Sequence, residues 1–319
     1  MHQWPAVPAG RCGVFTLSEA LAAGATVEAL RYAVETGALR RLRRGCFAPA
    51  GVDLTGWADR DLDLARRTVA ATLASRETRA SHLGAALLSG LPTWAVDPRA
   101  CVTTRRDCAL RGIHVHHALP RPGHFGVIGG VPVTSPERTI VDIAREYGVE
   151  SGLVTADAAL RQGVVREVDL ADVVDELGYD LDVSAARQVL ALADGAAESP
   201  LESRSRWQMH VHRVPPPLTQ VEINTRGGRF LGRTDFYWPA GVVGEVDGNS
   251  KYTSPDVLIR EKWRQEGLEA AELRTVRWGA VDLRGFGPTA ARLLRALQRA
   301  QANPAVRGWV AVHPDLEAA

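Results

Sequence analysis

Apolar side chains recur every three or four residues over several stretches of this chain and alternate or cluster in short runs over others, which separates helices from strands. Near the start, Val14, Phe15 and Thr16 lead into a helix over 17–23, with Thr16 or Ser18 as its cap and Gly24 as its stop. Thr26 caps a second helix, whose Val27, Leu30, Ala33 and Val34 form one apolar stripe ending before Gly37. Residues 39–47 follow as two short strands with their arginines outward. A short helix, a glycine turn, an amphipathic helix and a basic hairpin make a winged helix-turn-helix.

Beyond residue 60 the pattern changes. Helices are expected over 61–74 and 81–89, then strands over 100–104, 113–117 and 131–134, then a helix introduced by Ser135 and Pro136. Helices over 153–160, 168–177 and 185–193 complete this middle region, and the polar stretch 194–200 reads as a connection. The C-terminal part reads as a helix (201–212), a meander of three strands (220–225, 229–238, 242–247), a helix (256–270), a strand (271–277) and a helix (288–302). That order predicts an α/β core around a mixed sheet. The expected domains are 1–58, 59–198 and 199–302, with 303–319 as a tail; the fold class is α/β multidomain, with a winged helix-turn-helix, an α+β middle domain and a restriction-endonuclease-like α/β domain.

Composition narrows the function classes. With 319 residues, 45% hydrophobic and 24% charged, the chain is of ordinary globular make-up. No apolar run reaches the roughly 18 residues of a membrane helix. The N-terminus lacks a secretory pattern, so a cytoplasmic, nucleoid-associated protein is expected. Four scattered cysteines form neither a disulfide framework nor a zinc-finger spacing. The net charge of +1 divides into +2 over residues 1–60, −5 over 61–198 and +4 over 199–319, which suits basic ends that meet a polyanion. Arg40, Arg41, Arg43 and Arg44 stand in the hairpin, where bidentate contacts to phosphates would give affinity. Thr26 and Arg31 on the second helix would read base edges. A solvated arginine-rich hairpin is the structural alternative.

Two groups raise the question of a metal. His114 and His116 share a face of their strand while His117 points away, and His124 lies further on. With no carboxylate or cysteine at ligand spacing, a surface or packing role is expected. In the C-terminal part Asp235, Glu245 and Asp247 interrupt otherwise apolar strands. If the strands pair as a hairpin, these carboxylates converge and would call for Mg2+ or Mn2+. Both lysines of the chain, Lys251 and Lys262, fall shortly after them, against 36 arginines elsewhere.

Residues 13 to about 50 resemble the winged-helix domain of the AbiEi family of antitoxins and transcriptional regulators, with its Phe-Thr, helix, Ala-Gly, helix, Gly and basic hairpin ending in an aromatic residue. No helix is available before Val14, so the usual three-helix core is trimmed or completed by a neighbouring segment. Ser81-His82 with Ala85-Ala86, and the run 133–142, look like the second domain of AbiEi-type proteins. Residues 199–300 resemble the Vsr-like domain of the PD-(D/E)XK endonucleases through Leu201 to Arg204, Gly232 to Phe236, Gly244 to Tyr252, Glu261 to Arg264 and Val276 to Trp278. The resemblance implies Asp235 and Glu245 as metal carboxylates and Glu202 as the acidic residue of the first helix; Asp247 would serve beside them as an extra ligand or a base-orienting group. The superfamily lysine stands two residues after the glutamate. Here that position is Asp247, and Lys251 or Lys262 would supply the ammonium.

The expected function is a DNA-binding protein whose winged helix delivers a Mg2+-dependent endonuclease domain to double-stranded DNA. The alternative is a transcriptional repressor or antitoxin-like regulator whose nuclease-fold domain is inert, acting as a homodimer and with a cognate toxin as partner.

Overall fold

Thr16 and Thr26 each have an extended backbone and cap a helix. The Thr16 side chain accepts from the Glu19 amide while the Glu19 carboxylate accepts from the Thr16 amide, a reciprocal capping box. The Thr26 hydroxyl accepts from the Ala29 amide. The computed structural model describes residues 4–51, 57–73, 77–95, 97, 99–105, 112–117, 121–178, 183–247, 273–302, 309–313 and 316. The chain forms two units, Met1–Ala193 and Asp194–Ala319.

In the first unit, β1 (Phe15–Thr16), β3 (Cys46–Pro49) and β2 (Leu39–Arg43) form a three-stranded antiparallel sheet beside α1 (Leu17–Ala22) and α2 (Val27–Glu35). Phe15, Ala20, Leu30, Ala33, Leu39 and Phe47 close a small core, extended by Trp4 stacked on Phe15 at 5.9 Å. The other side of this sheet is covered by α3 (Trp57–Leu73). Its Ala65, Val69 and Ala70 pack on Val14, Cys46 and Ala48, and on Ala80, Val131 and Val133 of a second sheet. A neighbouring segment, α3, thus packs on this sheet, and the boundary expected between residues 58 and 59 falls inside that helix.

That second sheet has five strands in the order β6 (Ile113–His117), β5 (Ala100–Thr104), β4 (Arg79–Ala80), β8 (Val131–Thr134), β7 (Phe125–Ile128). β5 runs parallel to β6 and antiparallel to β4, and β4 runs parallel to β8. α4 (His82–Leu88) crosses α3 closely at Gly84, where a Cβ would lie 2.5 Å from Thr68 Oγ1, so no larger residue fits. α5 (Pro136–Tyr147) starts where Ser135 and Pro136 announce it; α6 (Val149–Arg161), α7 (Glu167–Leu177) and α8 (Val183–Leu192) follow, longer at their starts than the apolar pattern alone suggests. The strand β7 has no counterpart in the sequence pattern, because half-exposed Phe125 and Ile128 around Gly126 give it no clear alternation.

In the second unit, α9 (Pro200–Val211) begins at the cap Ser199. β9 (Leu218–Thr225), β10 (Phe230–Trp238) and β11 (Val242–Asp247) form an antiparallel meander, and β12 (Arg274–Gly279) lies parallel to β11. α10 (Gly287–Ala302) covers the sheet with Ala290, Leu293 and Leu297 on Phe236, Trp238 and Trp278. Gly244 makes room for this: a Cβ there would lie 2.7 Å from the Trp278 ring. The expected tail holds β13 (Trp309–Val312), which pairs with β9 and sets Trp309 edge-on against Tyr237 at 5.6 Å. The helix expected over 256–270 lies outside the described residues. The described residues as a whole are mixed α/β with three sheets.

Candidate functional site

The hairpin arginines divide according to a break in the β2–β3 register. Pairing is regular through Arg41 opposite Phe47, then shifts so that Arg43 faces Cys46. A bulge of this kind resets which side chains point outward. Arg41 and Arg44 stand towards solvent. Arg40 instead turns to α3, where its guanidinium lies 2.7 Å from the buried carboxylate of Asp63, and Asp63 also holds Arg67 at 2.8 Å. Arg43 is half-buried, with Nη1 inside the fold. Two of the four arginines expected on phosphates therefore have structural surroundings.

The outward pair is joined by a third. Arg31 of α2 is exposed, and together with Arg41 and Arg44 it lines a groove of about 750 Å3 between α2 and the hairpin. The groove is floored by apolar Leu17, Leu30, Val34 and Phe47. Thr26 is exposed at the N-terminus of α2, and Tyr32 and Val27 stand out from the same helix at 68% and 49% exposure. The apolar pattern does not single out Tyr32, although an exposed aromatic beside Arg31 is the kind of signal that marks a binding surface.

In the second unit, β10 and β11 set Asp235 and Glu245 opposite each other, one step beyond the Phe236 and Gly244 pair. Asp235 Oδ2 accepts the Val246 amide at 2.9 Å. Glu245 is 5% exposed and its Oε2 accepts from Arg277 Nε of β12 at 2.8 Å, at a position in direct register. Asp247 ends β11 exposed. Glu202 is buried and accepts three hydrogen bonds: from the Glu198 amide, from the Ser199 hydroxyl and from the Gln220 side-chain amide. The first two belong to the start of α9, where Ser199-x-x-Glu202 has the pattern of a capping box, so the geometry gives Glu202 a structural task. Gln220 itself has φ +58° within β9 and lies opposite Asp235. Such a backbone angle is a strained setting for a residue with a side chain.

The structure thus brings Asp235 and Glu245 together and places Glu202 one hydrogen bond from Gln220, while Lys251 and Lys262 lie outside the described residues. Oxygen donors suit Mg2+ or Mn2+, but the pair does not fit such an ion as it stands. Arg277 already neutralises Glu245, and the Val246 amide occupies one oxygen of Asp235. Nor, among the described residues, do the three expected carboxylates gather at ligand distance; the set that does is Cys101, His114 and His116. The Cys101 partner escapes a reading by spacing, because pairing of β5 with β6, not sequence proximity, sets it opposite His114.

Residues 9–50 match the family described as "Transcriptional regulator, AbiEi antitoxin". Two uncharacterized proteins, from two strains of Mycobacterium tuberculosis, are each 33% identical to this chain over 181 residues, which is 54% of the chain and 65% of either relative. The chain thus spans just under two thirds of the length of the curated relatives it matches. Among the described residues no helix is long and apolar enough to cross a membrane.

Proposed function

We propose that this chain is a DNA-binding transcriptional regulator that grips duplex DNA with α2 and the β2–β3 hairpin. The observation that carries the reading is the grouping of Arg31, Arg41 and Arg44 around one groove, on the segment similar to AbiEi regulators. The guanidinium groups of Arg41 and Arg44 on the hairpin suit phosphates beside a DNA groove, with Thr26 and Arg31 of α2 at the base edges. Two copies would address an inverted repeat with half-sites one helical turn apart. The family description extends the proposal to a cognate toxin as partner. The test is a gel shift of the full chain on its own upstream region against unrelated duplex DNA. Preferential binding, lost when Arg31, Arg41 and Arg44 are all alanine, is expected; equal affinity for any duplex, or no binding, refutes the regulator.

A second reading is phosphodiester hydrolysis by the second unit. It is favoured by Asp235 standing opposite Glu245 on a helix, meander, parallel-strand framework, beside strained Gln220. It requires Arg277 to leave Glu245. Supercoiled plasmid cut by wild type with Mg2+ or Mn2+, and spared by Glu245→Ala, would establish it. Plasmid left intact over a range of salt leaves the regulator.

A further inference from the structure

The middle of the first unit holds a cluster that neither reading uses. Pairing of β5 with β6 in parallel sets Cys101 opposite His114 and Thr103 opposite His116. On a strand, residues two apart share a face, so His114 and His116 present both rings to the same side. Cys101 Sγ and one ring nitrogen from each histidine all lie within 4.8 Å of one another. Buried His82, at the start of α4, stacks on His116 at 3.6 Å, and the His114 ring lies 4.1 Å from that of His116 along the strand. His82 itself has φ +51°, a backbone setting that strains a residue with a side chain.

A stack of imidazoles held only by packing should satisfy its nitrogens internally. His116 does not: its Nε2 is buried and has no hydrogen-bond partner among the described residues. Such an orphan is costly unless a donor or a cation meets it. Carboxylates flank His114. Asp97 Oδ2 is 3.5 Å from His114 Nδ1, and Glu146 Oε1 is 3.7 Å from His114 Nε2. Whichever nitrogen ligates, the other has a carboxylate to orient it. Arg99 also reaches Nδ1, at 3.2 Å, and pairs with Asp97 at 2.9 Å; as a donor it gives way whichever nitrogen ligates, because Nδ1 then holds either the metal or the ring proton. His116 also lines a pocket of about 330 Å3 with His82, Thr103, Arg138 and Asp142.

We propose that Cys101, His114 and His116 bind a divalent transition ion of the zinc class. One sulfur and two imidazoles form the borderline donor set that Zn2+ prefers over oxygen-seeking Mg2+, and three protein ligands leave a fourth position for water or another ligand. On binding, the Cys101 thiol gives up its proton to solvent and the thiolate takes its place on the metal.

The test uses the untagged full chain, stripped with a chelator and titrated with Co2+, then with Zn2+. Expected are one equivalent of Co2+ bound, a thiolate-to-cobalt band in the near ultraviolet, visible bands of tetrahedral intensity, and displacement of both by Zn2+. Cys101→Ser should abolish the thiolate band, His116→Gln should weaken uptake by at least tenfold, and His117→Gln, on the exposed end of the same strand, should bind as wild type does. Asp97→Asn should weaken uptake by about 10- to 100-fold if it orients His114. Wild type that takes up no stoichiometric Co2+ or Zn2+ overturns the proposal whatever the variants do, and so does a thiolate band that survives in Cys101→Ser.

Discussion

Replacing the hairpin arginines one at a time separates those that hold DNA from those that hold the fold. Arg41 and Arg44 line the groove beside α2, whereas Arg40 lies 2.7 Å from a buried Asp63 carboxylate and Arg43 has Nη1 inside. Each phosphate contact contributes about 0.9 to the slope of log affinity against log salt on B-form DNA. Arg41→Ala or Arg44→Ala should therefore flatten that slope by about 0.9, and the double variant by about 1.8. Over a fourfold rise in salt the wild type should then lose about tenfold more affinity than the double variant does.

Arg40→Ala should leave the slope where it is and act on stability instead. The Arg40 side chain is 37% exposed, and Asp63 keeps Arg67. The loss is that of a partly solvated pair, about 1 kcal/mol or a fall in melting temperature of about 2–4 °C. Fluorescence anisotropy on a labelled duplex at several salt concentrations, beside thermal melts of the same samples, measures both. A slope equally reduced by Arg40→Ala and Arg41→Ala, or unchanged in the double variant, would refute the assignment of the two faces.

Glu202→Ala in α9 removes a buried acceptor of three hydrogen bonds and leaves the Gln220 amide group without that partner. The second unit should then lose about 1–3 kcal/mol in urea unfolding; a loss confined to hydrolytic activity, with stability unchanged, would instead make Glu202 a site residue. Glu19 is held down at about 2, first by its hydrogen bonds from Arg11, then by those at the Thr16 cap. Its folded value lies below the ordinary 4.5, so the stabilisation is present above about pH 4.5 and is lost as pH falls towards about 2. Because the carboxylate is well exposed the effect is small, and Arg11→Ala should flatten the pH dependence of the melting temperature in that window.

Much of the architecture is local and therefore readable in the chain. Thr16, Thr26 and Ser135 cap helices within three residues of themselves, and their hydroxyls tell where α1, α2 and α5 begin. The meander of β9, β10 and β11 follows from turns at Gly228 and Gly241, both with positive φ. What stays hidden depends on pairing between distant segments. The bulge after Arg41 decides which arginines are outward, and no alternation rule contains it. β13 is short and is placed by its pairing to β9 and by the packing of Trp309 on Tyr237, both between distant segments. Asp235 and Glu245 stand side by side as their strands suggest, but Arg277, which changes what they can hold, comes from a parallel strand reached through the segment 248–273. Glu202 reads as a site acid in the chain and serves Ser199 in the fold, because a nuclease role and an S-x-x-E cap use the same residue.

The two clusters make opposite statements about cations, and this fixes where metal dependence should appear. At Glu245 the buried charge is met inside the protein by Arg277, so the strands β10, β11 and β12 are complete without an ion. At His116 a buried ring nitrogen has no partner among the described residues, and the ring stands with Cys101 and His114 in a donor set that an outside cation would fill. A ligand stabilises whatever binds it only in the folded form. Adding Zn2+ to the stripped chain should accordingly slow amide hydrogen exchange in β5 and β6 and leave β10 and β11 as they were, while Mg2+ should protect neither. Protection of β10 and β11 by Mg2+ would show that Arg277 yields to the dication after all, and would return the second unit to hydrolysis.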